Sequence, residues 1–558
     1  MPNVKFNMDL LSIYTKMDIE YETISDIIMK SKFGIEGKDN REIEVEITQD
    51  RLDLSSMEGF SVFIQQMMGK MNNIEFSIKN GDKHIAVEND KVGGRPFIAL
   101  SIVKNVELKN EEIKYLMNYQ EILTTSLGNN RKIASIGLYP VNDASFPLIY
   151  TSLPLDDIKF QPLGEDTVMS ACDIIKKHPM GIRYGNLIKE DHGPVILDNN
   201  KNILSMPPIV NSIDFGKIDE MTNTMLVEVT GTDKKRVNDT LILMLLPFII
   251  HGFKIESVII KGNEPPYSTP VIKKRIIAIE KNDIDRIWGL KFETNDIIQL
   301  LERSGYCIIE HNNRFIKVEV PVYRIDVLSA IDIIEDIGIM YGYNKIEPSF
   351  PVHLYTEGGL DFHDVFYSKF EDYLVGFGFL QTHTMILNSV DRMDSLGINC
   401  IKLKNPTSNL YNGIRPNLFF SLLNFSSFST GLKYPQRIFE RGLVVRVDDY
   451  IQQSTGVNRN ESIGFMILKN DTTFTDGKII HDFILEQEKI DAEFIPSTKS
   501  YLLDGRSADI IYKKTEIGFI GEVSPQSLKL FNIKMPAVAG ELYLDKIAME
   551  KIKKDGLF

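Results

Sequence analysis

The chain has 558 residues, 43% hydrophobic and 25% charged, with a net charge of −14. At about 100–200 residues per domain, such a length makes several domains, each long enough to bury a core. The acidity excludes a global basic field, so any nucleic-acid contact must come from local basic patches or from a partner.

Three distant cysteines, Cys172, Cys307 and Cys400, lack CxxC spacing, and the nine histidines are scattered. This points to reduced thiols in a cytosolic protein, without a disulfide framework or structural zinc. The first residues, MPNVKFNMDLLSIY, do not have the order of a signal peptide. In chain order, helical periodicity predicts a short helix over Met8–Lys16 and a second after Asp18 toward Met29. Glu42–Ile47 alternates with period two and reads as a strand. Thr48–Ser55 is a turn into a helix over Met57–Met68, with Ser55 or Ser56 as its cap. Gly93-Gly94 and Arg95-Pro96 mark a boundary.

From about residue 97 to 264, strands such as Phe97–Val103 and Met225–Val229 alternate with helical patterns such as Asn110–Ser126, a mixed α+β pattern. Turns are expected at His178-Pro179-Met180-Gly181, His192-Gly193-Pro194 and Met206-Pro207-Pro208. Leu241–Phe253, the most apolar run, is too short to span a bilayer and reads as a buried helix and its exit. Pro265-Pro266-Tyr267 reads as a linker. Two basic runs, Lys234-Lys235-Arg236 and Lys273-Lys274-Arg275, could touch phosphates or could simply be solvated surface.

Residues from about 268 to 350 read as a compact unit. Asp283–Leu290 and Thr294–Ser304 are helical, Glu310–Pro321 is a hairpin around Asn312-Asn313, and Glu347–Pro351 closes the unit. Within it, Pro321–Ile346 sets Asp326, Asp332, Glu335 and Asp336 in an amphipathic pattern. The i,i+3 and i,i+4 spacings put the last three on one side of a helix, while Ile334, Ile337 and Tyr341 form the apolar stripe. Spacing alone leaves two readings open: a solvated acidic face, or a hard-oxygen site suited to Mg²⁺.

The remainder, from about residue 355, begins with a helix over Asp361–Gly376 and a strand over His383–Leu387. Gly376-Phe377-Gly378 is a helix end and turn. Strands follow at Ile438–Val447 and Glu461–Leu468, then Asp471–Glu488 leads into Ala508–Gly518, Gly521–Ser524 and Gly540–Leu544. Without βαβ regularity, an antiparallel sheet flanked by helices is expected. P-loop, HExxH, GxSxG and dinucleotide fingerprints are all missing.

Several blocks in order carry a family resemblance: Asp50–Ser55 with Glu58-Gly59; His178–Gly181 with Tyr184-Gly185; Leu204–Ser212; Thr230–Asp233; the acidic stretch Pro321–Ile346; and Leu403–Val445. Together they resemble the phenylalanyl-tRNA synthetase beta subunit of the archaeal/eukaryotic type, over nearly the whole chain. The resemblance implies a multidomain α+β protein: a B1-like domain over 1–95, a B3/B4-type α+β editing domain over 96–266, a B5-type helix-and-hairpin domain over 267–350, and a degenerate class II synthetase antiparallel-sheet module (B6/B7) over 351–558, with no C-terminal anticodon-binding domain. Leu52 stands where that family often has proline. Arg415 and Arg437 read as structural or inter-subunit residues, because the closing ATP-binding arginine of an active class II core is not recognisable near Gly518–Pro525.

The resemblance further implies a beta subunit of phenylalanine–tRNA ligase in a cytoplasmic (αβ)₂ particle. Its alpha subunit would bind ATP and phenylalanine and charge tRNA(Phe). Asp326, Asp332, Glu335 and Asp336 fall where the family's Mg²⁺ ligands lie, in a site shared with alpha. The B3/B4-like domain would hydrolyse mischarged Tyr-tRNA(Phe), a second sieve against an added hydroxyl. Asn211, Ser212, Glu228, Thr230 and Asp233 are its candidate residues, as turn-flanking or outward strand positions, and each could equally be a plain turn former or solvent-facing residue. His178 and His192 read as turn or surface histidines. The alternatives are a stand-alone tRNA-binding scaffold or a trans-editing hydrolase.

Overall fold

The computed structural model describes residues 2–39, 41–71, 73–88, 92, 94–141, 144–188, 191–215, 217–350, 358–447 and 457–555. Gly93 and Pro351, used above as boundary signals, lie outside them. The chain divides into two compact units, residues 1–350 and 351–558. No helix among the described residues is long and apolar enough to cross a membrane.

The first unit opens on a three-stranded antiparallel sheet in the order Asn3–Asn7, Glu42–Glu46, Gly34–Lys38. Its alternation buries Val4, Phe6, Ile43 and Val45. Lys16, in the left-handed conformation, ends the helix Met8–Thr15, and Ser56 caps the helix Met57–Met67 by accepting from the Gly59 amide at 3.0 Å. A Cβ at Gly59 would lie 1.9 Å from the Asp53 carbonyl oxygen, so glycine lets the short 3₁₀ turn Leu52–Ser55 press onto that helix. The same core continues into the unit's C-terminal part: Phe60 and Phe63 share a cluster with Ile279, Ile297, Ile316, Ile334 and Ile337. These come from a sheet ordered Arg275–Glu280, Phe315–Val320, Cys307–His311 and from the helices Lys281–Trp288, Thr294–Arg303 and Ala330–Tyr341.

Between these parts lies a large mixed sheet. At its centre Thr224–Gly231 runs antiparallel to Phe97–Lys104 on one side and Ala134–Pro140 on the other. One face packs Met225, Val227 and Val229 with residues of the helices Asn110–Thr125 and Lys234–Ile250. The other face carries Leu226, Glu228 and Thr230, by the period of two.

Several turns and linkers expected from Gly and Pro are structured. His192–Leu197 is a strand paired along its length with Leu148–Pro154; its other neighbour joins only at Ile196 and Leu197, so Pro194 meets a free edge where a missing N–H costs nothing. Tyr267–Thr269 pairs with Val258–Ile260 rather than linking domains. His178–Gly181 opens a helix, Pro179–Tyr184, with Pro179 at its first position. The strand His84–Val87, N-terminal to the boundary expected at residue 95, also joins the large sheet.

The second unit is a seven-stranded sheet, ordered Leu380–Gln381, Gln436–Val447, Val457–Leu468, Ala537–Tyr543, Thr515–Val523, Leu502–Tyr512, Glu493–Pro496. All pairs are antiparallel except the first. Ile463, Phe465 and Ile467 pack with Phe370 and Leu374 of the Phe362–Gly376 helix and Ile480 and Ile484 of Phe474–Gln487, while Met466 and Leu468 face the Phe419–Phe428 helix. His383 to Ile386 is not strand; only Leu387–Asn388 is, in a separate small sheet. There Thr384 is turned toward Glu440, its hydroxyl donating at 2.7 Å.

Candidate functional site

The acidic stretch folds into an ion-pair node within the first unit. The turn 321–329 brings Arg324 under the helix Ala330–Tyr341. Arg324 grips Asp326 through Nε (3.0 Å) and Nη2 (2.7 Å) and reaches Asp336 with Nη1 at 2.7 Å. The Tyr306 hydroxyl donates to the same Asp336 oxygen at 2.6 Å. Arg51, bidentate on Asp53 at 2.9–3.0 Å, lies 4.0 Å from the other Asp336 oxygen. Burial alone would raise Asp326, but Arg324, with Arg51 behind it, holds its carboxyl below the usual range. Asp336 is therefore buried, not on a solvated acidic face. Asp332 accepts from the Leu328 and Ser329 amides at 2.8 and 2.7 Å and closes a capping box. Glu335 pairs with Lys32 at 3.1 Å, and Lys32 also holds Asp50.

The four carboxylates are thus each engaged by an arginine, a lysine or a helix cap. Among the described residues no group of three His, Cys, Asp or Glu side chains is arranged to hold a metal ion. As it stands, this chain alone does not fit Mg²⁺ at that place.

A different carboxylate has the opposite environment. Glu228 sits mid-strand, 2% exposed, opposite Gly137 in register. The Tyr139 hydroxyl donates to its Oε2 at 2.7 Å, and its Oε1 has no hydrogen-bond partner. Burial pushes its pKa up to about 7, against the pull of the Tyr139 hydroxyl, the Arg95 guanidinium and, least, the Thr230 hydroxyl, which lies near without meeting hydrogen-bond geometry. Gly137 makes room for the pair: a Cβ there would stand 2.3 Å from the Tyr139 oxygen and 2.4 Å from Glu228 Oε2. Around Glu228 is a small cleft of about 20 Å³, room for one water, lined also by Ser135, Ser205, Asn211 and the cis Pro207-Pro208 pair. The Ser205 hydroxyl and Arg131 Nε are likewise buried without partners.

The frame of this cleft is polar. Arg95 donates to Thr230 Oγ1 (3.0 Å), Ser135 Oγ (2.8 Å) and the carbonyls of Thr230 (2.7 Å) and Arg131 (2.8 Å), and burial pulls its pKa down to about 10. Arg131 donates to the carbonyls of Pro208 and Ile209 at 2.9 and 3.0 Å and lies over the Tyr184 ring.

The structure therefore brings Asn211, Glu228 and Thr230 together. Glu228 is not solvent-facing, because its face of the sheet is covered by the buried cluster around Leu226, Tyr139 and Tyr150. Ser212 and Asp233 do other work: Ser212 is fully buried in a turn with Asp214, and Asp233 is the exposed N-cap of Lys234–Ile250, accepting from the Arg236 amide at 2.7 Å. His178 is buried as a helix cap and His192 is exposed. Arg95, Ser135, Tyr139 and Arg131 were missed. Period-two alternation in Ala134–Pro140 could have aligned Ser135, Gly137 and Tyr139 on one face; nothing local marks Arg95, which reads as loop punctuation before Pro96.

In the second unit Arg415 is buried against Glu440 at 2.7 Å, and Arg437 donates to the Phe377 carbonyl at 2.9 Å. Both are engaged within the second unit, which accords with the structural half of the expectation that they are structural or inter-subunit.

Comparison with known proteins places this geometry. A Saccharolobus solfataricus protein named phenylalanine–tRNA ligase beta subunit is 31% identical over 97% of this chain and 98% of its own length. The chain belongs to the phenylalanine–tRNA ligase beta-subunit family. The namesake from Thermococcus sibiricus is 31% identical over 89% of each chain. Residues 277–343 match the tRNA synthetase B5 domain, and residues 346–544 match the phenylalanyl tRNA synthetase beta chain CLM domain. A crystal structure of an N-terminal fragment of the phenylalanyl-tRNA synthetase beta-subunit from Pyrococcus horikoshii superposes with a TM-score of 0.59 at 26% identity, covering 61% of this chain and all of that one. This family membership makes the chain a component of a ligase of protein biosynthesis, in line with the resemblance read from the sequence.

Proposed function

We propose that this chain works in the cytoplasm as the beta subunit of an (αβ)₂ phenylalanine–tRNA ligase, with the synthetic site for ATP and phenylalanine on alpha, and that its Glu228 cleft edits Tyr-tRNA(Phe). The observation that carries the editing reading is the partnerless Oε1 of Glu228, buried at the head of a cleft that takes one water. A buried acceptor without a donor rejects an apolar phenyl ring and welcomes a phenolic hydroxyl, so the site discriminates tyrosine from phenylalanine in the direction editing needs. Tyr139 fixes the carboxylate from one side, and Arg95 braces the strand pair that carries it. A cleft of about 20 Å³ holds a water but not a tyrosyl ring, so it must widen to admit the substrate. The domain limits 1–95, 96–266, 267–350 and 351–558 belong to the same proposal.

Engagement of Arg415 and Arg437 within the second unit supports a synthetic site outside this chain. The Mg²⁺ implied by the resemblance is assigned to the assembled particle, where ligands of alpha would have to compete with Lys32 for Glu335.

The test is charging of tRNA(Phe) with phenylalanine by this chain, by its alpha subunit and by both, followed by hydrolysis of Tyr-tRNA(Phe) by the complex. Charging is expected only from the mixture. Glu228→Ala is expected to leave charging intact and to slow Tyr-tRNA(Phe) hydrolysis by roughly ten- to a hundredfold, the scale of one lost hydrogen bond to a charged group. Hydrolysis unchanged in Glu228→Ala would remove Glu228 from the editing site, and charging by this chain alone would overturn the division of labour.

A further inference from the structure

The two basic runs, nearly forty residues apart in sequence, meet in the first unit. Lys234 and Lys235, on the first turn of the Lys234–Ile250 helix, and Lys273 and Arg275, at the start of the Arg275–Glu280 strand, rim one open cleft of about 440 Å³. Its floor and walls are aliphatic: Ile242, Val271, Val322 and Ile325. The size lies in the range of ligand sites, about 300–1,000 Å³.

Its charges are not equally committed. Arg275 holds the wall, donating to the carbonyls of Val327 and Arg324 at 2.5 Å each. Lys235 pairs with Asp239, the cleft's one carboxylate, at 2.7 Å, and Lys234 with Glu264 at 2.5 Å. Lys273 is exposed and, among the described residues, makes no hydrogen bond or ion pair. Asp239 and Glu264 offset two of the four cations, which leaves Lys273 and Arg275 without a carboxylate among the described residues and a net positive balance at the cleft, on a chain whose net charge is −14.

The segment 271–274 beside the cleft lies outside any sheet or helix. Asn238 zips its start to the helix, accepting from the Val271 amide at 2.7 Å and donating to the Val271 carbonyl at 3.0 Å. Among the described residues the amides of Ile272, Lys273 and Lys274 donate to no backbone carbonyl. Ile272 and Ile276 next to it are 38% and 56% exposed.

We propose that this cleft docks an acidic peptide segment of a partner protein, its aliphatic side chains on the floor and its carboxylates on the lysine rim. The amides of 272–274 offer such a segment main-chain hydrogen bonds. An RNA strand suits the cleft less well, because no aromatic ring lines it for base stacking. The cleft shares no residue with the Glu228 cleft.

The test is fluorescence anisotropy of a labelled peptide alternating glutamate and leucine, titrated with the full chain. A lysine–leucine counterpart and a labelled oligo-uridylate serve as comparison probes. Saturable binding of the acidic peptide is expected, weakened roughly tenfold by the double substitution Lys235→Glu with Lys273→Glu, the size of a changed rim charge pair. Both residues are exposed, so the variant should fold, which its melting curve checks. Absence of saturable binding, equal binding by the variant, or binding of the lysine–leucine peptide overturns the proposal. Oligo-uridylate binding that the double substitution abolishes, without peptide binding, overturns it in favour of an RNA phosphate contact.

Discussion

Asp326 and Glu228 lie in the same unit, both deep and both within the field of an arginine, yet they are opposites. Asp326 has Arg324 clamped on both oxygens and Arg51 behind, and it stays ionised below the usual carboxylate range. Glu228 has a tyrosine on one oxygen, nothing on the other, and a pKa raised to about 7. Arg95, the cation that could neutralise Glu228, is instead used up on Thr230, Ser135 and carbonyls. A buried carboxylate whose partners satisfy it is architecture, and one left short of donors is available to a ligand.

Breaking the first region should have the largest effect. Arg324→Met strips Asp326 and Asp336 of their cation while leaving both buried, which is expected to cost about 3–5 kcal/mol in urea unfolding. A loss under about 1 kcal/mol would show that water screens the node and that the contrast is weaker than drawn. In the cleft, Gly137→Ala drives a methyl into the Tyr139–Glu228 pair; a loss of about 1–3 kcal/mol, with slower Tyr-tRNA(Phe) hydrolysis and normal phenylalanine charging, is expected.

The pH dependence should separate the two carboxylates by sign. Glu228 binds its proton more tightly folded than unfolded, so between its unfolded value, near 4.3, and about 7 the native state carries the extra proton and stability falls as pH rises. Asp326, depressed, contributes stability above its unfolded value, near 3.9, which is lost only as pH falls through its lower folded value. Glu228→Gln is thus expected to gain about 1–3 kcal/mol over the parent at pH 8 and little at pH 5, by urea unfolding at each pH. The same difference at both values would mean that Glu228 does not titrate there. The smallest effect belongs to the node's half-exposed rim: Glu335→Ala, losing only Lys32, should cost no more than about 1 kcal/mol in thermal unfolding.

Much of the fold was legible. The helices over Asn110–Thr125, Thr294–Arg303 and Ala330–Tyr341 and the strands over Phe97–Lys104 and Gln436–Val447 follow from periodicity and caps. Where local chemistry misled, pairing explains it: Pro194 and Tyr267 carry turn signals yet lie in strands because a neighbouring strand supplies the partners. Of the candidate site, the sequence named Glu228, Thr230 and Asn211 but misjudged the exposure of Glu228 and Thr230, since burial of a strand residue depends on what packs over its face of the sheet.

The sequence by itself determined the family, through ordered motifs over nearly the whole chain, and the spacing that puts Asp332, Glu335 and Asp336 on one helix. Only the tertiary structure decided what those charges do. Whether a carboxylate is clamped, capped or left wanting a donor depends on Arg51, Arg95, Arg324 and Lys32, which arrive from distant turns and strands. So does the meeting of Lys234-Lys235 with Lys273. Electrostatic energy depends on separation in space and on burial, and neither quantity is written in the separation along a chain.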